Sequence, residues 1–213
     1  MLGAAAVAIW CDVALEVKHE YDDWHVHEHT PERLAIPGFL RGSRWVSLDG
    51  RNAYFILYEL EALSVLTAGP YLERLNNPTP WSVKMMPHHR NMVRSLCRVE
   101  STSGMGLGEA MLTIRLTHSI GTELLSSLPA RKGLAAAHLL RDAGQVQGAP
   151  TTEQKIRGGD GSADWVVLVN GYRTSDLEGL AAGELNEAAL VANGAAPGSV
   201  AQVYRLAYTL SKA

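Results

Sequence analysis

The stretch Phe39-Leu-Arg-Gly-Ser-Arg-Trp-Val-Ser-Leu-Asp-Gly-Arg-Asn-Ala-Tyr-Phe-Ile-Leu-Tyr-Glu-Leu60 decides the fold. Two runs rich in aromatic and aliphatic residues, 39–48 and 52–60, flank Asp49-Gly50-Arg51, and a short glycine-containing turn between such runs predicts a β-hairpin. Pro37-Gly38 ends whatever precedes the hairpin. Upstream, Leu15 to Ala35 is rich in charge and histidine, with Val17, Tyr21 and Trp24 spaced four and then three apart, which is one face of a helix. Before it, Ala4 to Val13 is an apolar run too short for a typical helix and suited to a buried strand. Downstream, Leu63 to Leu75 has helical spacing and is closed by Asn76-Asn77-Pro78. Thr79 to Asn91 reads as a long irregular excursion, and Met92 to Glu100 as a strand. The order is βαββαβ.

The same order recurs after Ser101-Thr102-Ser103-Gly104, which reads as a boundary. Ala110 to His118 is a strand and Thr122 to Leu128 a short helix. Leu134 to Arg141 and Asp164 to Tyr172 are strands joined by a Gly-rich connection, Ser175 to Ala192 is a helix, and Val200 to Leu210 is the last strand. A βαββαβ unit puts both helices on one face of an antiparallel sheet and leaves the other face uncovered. Two such units cover each other. The expected fold class is therefore α+β: two tandem ferredoxin-like units, residues 1–104 and 105–213, packed sheet to sheet as an intrachain barrel. The first unit carries the candidate active site and the second is structural.

Composition narrows the function classes. The formal net charge is −3 with no block of like charge, so no footprint for nucleic acid is visible. Cys11 and Cys97 lie far apart in apolar runs and read as small buried hydrophobes, which fits a reducing compartment. The apolar start, Met1 to Trp10, lacks a basic flank and meets Cys11-Asp12 too soon for a signal peptide or a membrane span. A cytoplasmic protein with no membrane partner is expected. No P-loop, no GxGxxG after a strand, no GxSxG and no CxxC pair is present, which argues against nucleotide cofactors.

The histidines are uneven: six of eight (His19, His25, His27, His29, His88, His89) and four of five tryptophans precede the boundary. At roughly 100° per residue from Val17, Tyr21 falls at about 40°, Trp24 at about −20°, Glu28 at about 20°, His25 at about 80° and His29 at about 120°. Glu28 is thus placed on the apolar face with His25 at its edge. A carboxylate facing the sheet must be paired, hydrogen-bonded or protonated. One reading makes His25, Glu28 and Tyr21 catalytic, with proton transfer by a partly desolvated carboxylate and an imidazole. The other pairs Glu28 with Arg41 or Arg44 and leaves the histidines on a solvated surface. His25, His29 and Glu28 also form an alternative metal set, although HExxH is absent. His88-His89-Arg90, with Trp81, Lys84 and Met85-Met86, lies in the excursion and reads either as a cover for a pocket mouth that supplies a cation or as a polar surface loop, while Trp45, Tyr54, Phe55 and Tyr58 on the hairpin strands read as core or as a ligand platform.

Tyr21-Asp-Asp-Trp-His25, Glu28-His29 and Ile36-Pro-Gly-Phe-Leu-Arg-Gly-Ser-Arg-Trp45 together resemble the dimeric α/β-barrel superfamily, and within it the EthD-like proteins. The match runs by motif through Leu60 and by element order beyond it. The resemblance implies a pocket between helices and sheet, used in the superfamily for cofactor-free monooxygenation, lactone isomerisation, decarboxylation or haem chemistry. It implies His25, Glu28 and His29 as pocket residues, with Arg44 reaching in from the second strand. Trp24, Trp45, Tyr58, Trp81, His88 and His89 complete the expected substrate-binding set. The expected function is a cofactor-independent lyase or isomerase acting on a small polar or aromatic carbonyl compound. The alternatives are a non-catalytic small-molecule-binding barrel and a metal- or haem-dependent or cofactor-free oxygenase. A small-molecule substrate is the expected partner, and a homodimer is compatible with the fold.

Overall fold

The computed structural model describes residues 1–51, 53–144 and 149–212. Asn52, where the hairpin's second run begins, lies outside them. The first unit runs β1 (Ala5–Val13), α1 (Lys18–Trp24), α2 (Thr30–Ala35), β2 (Phe39–Ser47), β3 (Ala53–Leu60), α3 (Gly69–Asn76), α4 (Pro80–Met85) and β4 (His89–Gly104). The second runs β5 (Ala110–Leu116), α5 (Glu123–Ser126), β6 (Leu134–Asp142), α6 (Thr152–Arg157), β7 (Trp165–Gly171), α7 (Thr174–Ala182), α8 (Glu187–Ala192) and β8 (Val200–Ser211).

All strand pairs are antiparallel, and the eight strands close into one barrel in the order β1-β3-β2-β8-β5-β7-β6-β4. Each unit supplies a four-stranded sheet, and the two sheets join edge to edge. β2 pairs with β8 from Arg41 opposite Ser211 to Ser47 opposite Tyr204, and β4 pairs with β6 from Cys97 opposite Asp142 to Gly104 opposite Ala136. Among the described residues closure leaves no edge of this sheet exposed. It also explains why Ser101–Gly104 is strand and not linker: β4 must be long enough to serve both β1 and β6.

Alternation along the strands separates two layers of core. On β1, Val7 and Cys11 face the first unit's helices, while Ala6, Ala8 and Trp10 point into the barrel. Trp45, Phe55, Met111, Leu168 and Tyr204 fill the barrel interior, which is therefore packed core. Outside the second sheet, Leu112, Ile114, Leu125, Leu177, Leu180 and Leu190 form an aliphatic layer. Outside the first sheet the corresponding layer contains Tyr21, Trp24, Tyr54, Tyr58 and Tyr71. Among the described residues no helix is long and apolar enough to cross a membrane.

Three segments differ from the sequence reading. The excursion 79–91 is ordered: Thr79 caps α4 by accepting from the Ser82 N–H, Pro80 opens the helix, and β4 starts at His89. The Gly-rich connection holds α6, started by a reciprocal Thr151/Gln154 capping box. The last long helix is broken into α7 and α8 between Ala182 and Glu187, with Asn186 capping the second piece.

The helix over 15–35 is present, but its centre is a π turn, His25–His29, in which the Thr30 N–H closes on the His25 carbonyl. Such i→i+5 turns advance each residue by less than 100° and occur often at functional sites. Everything downstream is rotated back relative to an ideal wheel. Gly42 on β2 admits this helix closely, since a Cβ there would lie 2.8 Å from the Thr30 methyl and 3.0 Å from the Tyr58 ring.

Candidate functional site

Between the α1–π–α2 helix and the outer face of the first sheet lies a cavity of about 50 Å³. The π turn decides which side chains reach it. His29 and Arg33, which an ideal wheel puts away from the sheet, swing onto the cavity, and Glu28 passes to the far edge. Glu28 there accepts hydrogen bonds from Thr79 Oγ1 (2.5 Å) and Trp24 Nε1 (3.2 Å) and ties the helix to the cap of α4.

Of the residues singled out from sequence, the cavity collects Tyr21, Trp24, His25, His29, Tyr58 and His89. Arg44 points to the far side of α1, with Nη1 3.1 Å from Asp22 Oδ1, and its guanidinium lies over the Tyr54 ring. Trp45 lies on the other face of the sheet, inside the barrel, stacked against Phe55 at 5.4 Å. Trp81 packs at the core edge from α4, and His88 sits half-buried in the turn before β4. Neither lines the cavity.

The polar wiring is specific. His89 Nδ1 lies 3.0 Å from the Met86 carbonyl and therefore donates to it, which leaves Nε2 to accept from the Tyr21 hydroxyl at 3.1 Å. His25 is engaged at both nitrogens, Nδ1 with Thr30 Oγ1 at 3.0 Å and Nε2 with the Tyr58 hydroxyl at 3.4 Å. His29 stacks on Trp24 with ring centroids 4.4 Å apart, and its buried Nδ1 has no hydrogen-bond partner.

The chain's second half completes the site. Glu153 on α6 accepts from Arg33 Nη2 with both oxygens, at 2.5 and 2.6 Å, and the two residues are only 3% and 4% exposed. Arg157, one turn on, pairs with Asp160 at 2.8 Å. Arg33 Nη1 is buried beside the cavity without a partner. Arg33, Glu153, Arg157 and Arg94 were not signalled by local sequence. An i, i+4 relation of His29 to Arg33 is the one cue that could have found Arg33.

Burial holds the imidazoles neutral. It is the largest effect depressing His25, with Arg44 adding to it, and His29, with Arg33 adding to it; both lie well below the usual histidine range. Burial likewise brings His89 down to about 4 against the opposing bond to the Met86 carbonyl, and it raises the Tyr21 phenol well above its ordinary value. Unfolded histidines titrate near pH 6.5, at about 6.5 by reference. Between that pH and the depressed native values the unfolded chain binds more protons, so stability is lost as pH falls through this window. His138, pushed down to about 3 by burial, adds to the same slope. The urea midpoint is expected to be lower at pH 5 than at pH 7.5, with a smaller drop in His89→Phe. Equal midpoints in the parent protein would contradict this account.

Among the described residues no three His, Cys, Asp or Glu side chains converge as metal ligands, so His25, His29 and Glu28 are not assembled as a set. A haem does not fit this cavity either, since about 50 Å³ is far below the roughly 300–1,000 Å³ of drug- and cofactor-sized sites.

The architecture matches solved structures along nearly its full length. An anthrone oxidase-like protein superposes with a TM-score of 0.62 at 11% identity, covering 99% of this chain and 94% of that one. The chain has the dimeric α/β-barrel fold. A protein from Fusobacterium nucleatum described as a candidate monooxygenase gives 0.59 at 8% identity, covering 100% and 96%. A variant chlorite dismutase from Candidatus Nitrospira defluvii gives 0.53 at 9%, covering 95% and 92%. No protein-family model matches the chain, and no curated protein does. At these identities the likeness shows the fold.

Proposed function

We propose that this protein is an acid–base enzyme that, without a bound cofactor, removes a proton from a small aromatic carbonyl or phenolic compound whose reacting end enters the first unit's cavity. The observation that carries the reading is the pair of unpartnered buried donors and acceptors one helical turn apart, His29 Nδ1 and Arg33 Nη1. A neutral imidazole with a free nitrogen is a base, and a buried guanidinium N–H beside it is a donor for the oxygen on which negative charge develops. His29 takes the role of base in this proposal. His25, satisfied at both nitrogens, orients the helix and the Tyr58 hydroxyl, while Glu28 anchors Trp24.

Lyase or isomerase chemistry returns the proton elsewhere on the substrate. A second reading, cofactor-free oxygenation, lets the same carbanion meet dioxygen, and the oxidase- and monooxygenase-described neighbours favour it. One experiment separates them. Incubation with 1-tetralone or anthrone in deuterated buffer under nitrogen is expected to give enzyme-dependent deuterium exchange at the acidic methylene, beside the carbonyl in tetralone and across the central ring from it in anthrone, read by NMR. Oxygen uptake on admitting air would select the oxygenase. No exchange above the background rate with either ketone or with a panel of phenols would remove the acid–base reading.

A further inference from the structure

A second cavity, of about 240 Å³, adjoins the first and is larger than it. The two share Tyr71, Leu75 and Arg94 in their walls. Its lining combines Leu66, Leu72 and Leu96 of the first unit with Asp142, Thr151 and Gln154 of the second. At the partition Arg94 Nη2 donates to the Tyr71 hydroxyl at 2.7 Å. Among the described residues Arg94 has no carboxylate within ion-pair distance, in contrast to Arg33, Arg41, Arg44 and Arg157. Asp142, in the wall of the same chamber, keeps its oxygens on the Leu96 and Gly144 N–H groups. A half-buried guanidinium with no carboxylate in contact thus sits where the two cavities meet.

We infer that the larger chamber binds the ring system of a one- or two-ring aromatic substrate, whose carboxylate or phenolate oxygen turns toward Arg94 at the entrance to the reactive cavity. This rests on the proposed function of the smaller cavity and names the substrate class it takes. Size supports it. A dry cavity of about 150 Å³ accepts benzene, so a chamber of this volume accommodates a fused pair of rings, whereas the smaller one takes only a few atoms. Chemistry supports it too. The leucines reward an apolar body, and a guanidinium with no carboxylate in contact rewards an anionic oxygen, so the class is defined by both together.

The division of labour between chambers also gives the second unit a role in recognition. Thr151, Gln154 and Ser162, which line the chamber, come from the half of the sequence that lacks the His-rich helix. Leu72 comes from the opposite wall, on α3. A bulky residue placed on either wall fills the same space from a different direction.

The test uses the full-length protein and 2-naphthoate as probe, with binding measured by calorimetry and so independent of turnover. The parent is expected to bind 2-naphthoate at least tenfold more tightly than acetate, naphthalene or 2-naphthamide. Leu72→Trp and, separately, Ser162→Phe are expected to weaken 2-naphthoate at least tenfold. Ser162 is exposed, so that variant keeps its fold, and thermal melting checks both. Arg94→Gln is expected to erase the preference for 2-naphthoate over 2-naphthamide. His29→Ala is expected to leave 2-naphthoate binding within twofold. Parent-like affinity in both wall-filling variants, or an unchanged preference in Arg94→Gln, would overturn the assignment. Binding as expected without any proton exchange in the ketone assay would retain the chamber and reject the chemistry.

Discussion

Glu153→Ala is expected to destabilise the protein by about 3–5 kcal/mol, because it removes one partner of a buried ion pair and strands the other. Arg33 is 4% exposed and receives both Glu153 oxygens on a single nitrogen. Its other terminal nitrogen already lacks a partner, so no protein group stands ready to take over the charge. Arg157, whose Nη1 lies 3.8 Å from Glu153, would lose part of its compensation as well. Urea denaturation of the single variant measures the loss directly. The double variant Arg33→Met/Glu153→Leu, which replaces the pair with apolar groups of similar size, is expected to recover most of it. A single-variant effect below about 1 kcal/mol, the range of solvent-exposed pairs, would show that water reaches Arg33 freely. The pair joins residues 120 positions apart, so the same experiment shows that α6 of the second unit is fastened over the first unit's cavity.

That distance explains the division between what could and could not be read from sequence. The strands announced themselves, because Phe39–Ser47 and Ala53–Leu60 alternate or run apolar around a glycine turn, and local chemistry alone fixes such a hairpin. Closure into a barrel followed from element order, since two sheets with one bare face each have few ways to hide it. Tyr21, Trp24 and His25 were legible because they precede or open the π turn, where a 3.6-residue period still holds. Beyond His25 the period changes with no sequence signal to mark it. The wheel therefore put Glu28 inward, and the structure puts His29 and Arg33 there. Trp45 failed for a different reason: alternation places it and Arg44 on opposite faces, and the sequence does not say which face covers the helix. α6 and its Glu153 were illegible because one and a half turns between glycine-rich flanks look like loop until the capping box is recognised.

His29→Ala is expected to lower the rate of proton exchange roughly 100- to 10,000-fold, the range over which a positioned general base acts, while the protein stays folded. The ring is held by stacking on Trp24 and has no hydrogen bond from Nδ1 to lose, so truncation removes a reacting group and little structure. His25→Ala, in contrast, breaks bonds to Thr30 and Tyr58 and is expected to affect stability along with rate. The pH profile separates a base from a packing residue. Burial, with Arg33 adding to it, keeps His29 neutral well below the usual histidine range, so the acid limb of the rate lies below about 6.5. In Arg33→Met/Glu153→Leu the adjacent positive charge is gone, and the acid limb is expected to move upward while burial still keeps it short of the ordinary value. A packing role for His29 would leave that limb where it was. An acid limb unmoved in the double variant, or a His29→Ala rate within threefold of the parent, would transfer the base to His89, whose Nε2 already accepts from the Tyr21 hydroxyl in the same cavity.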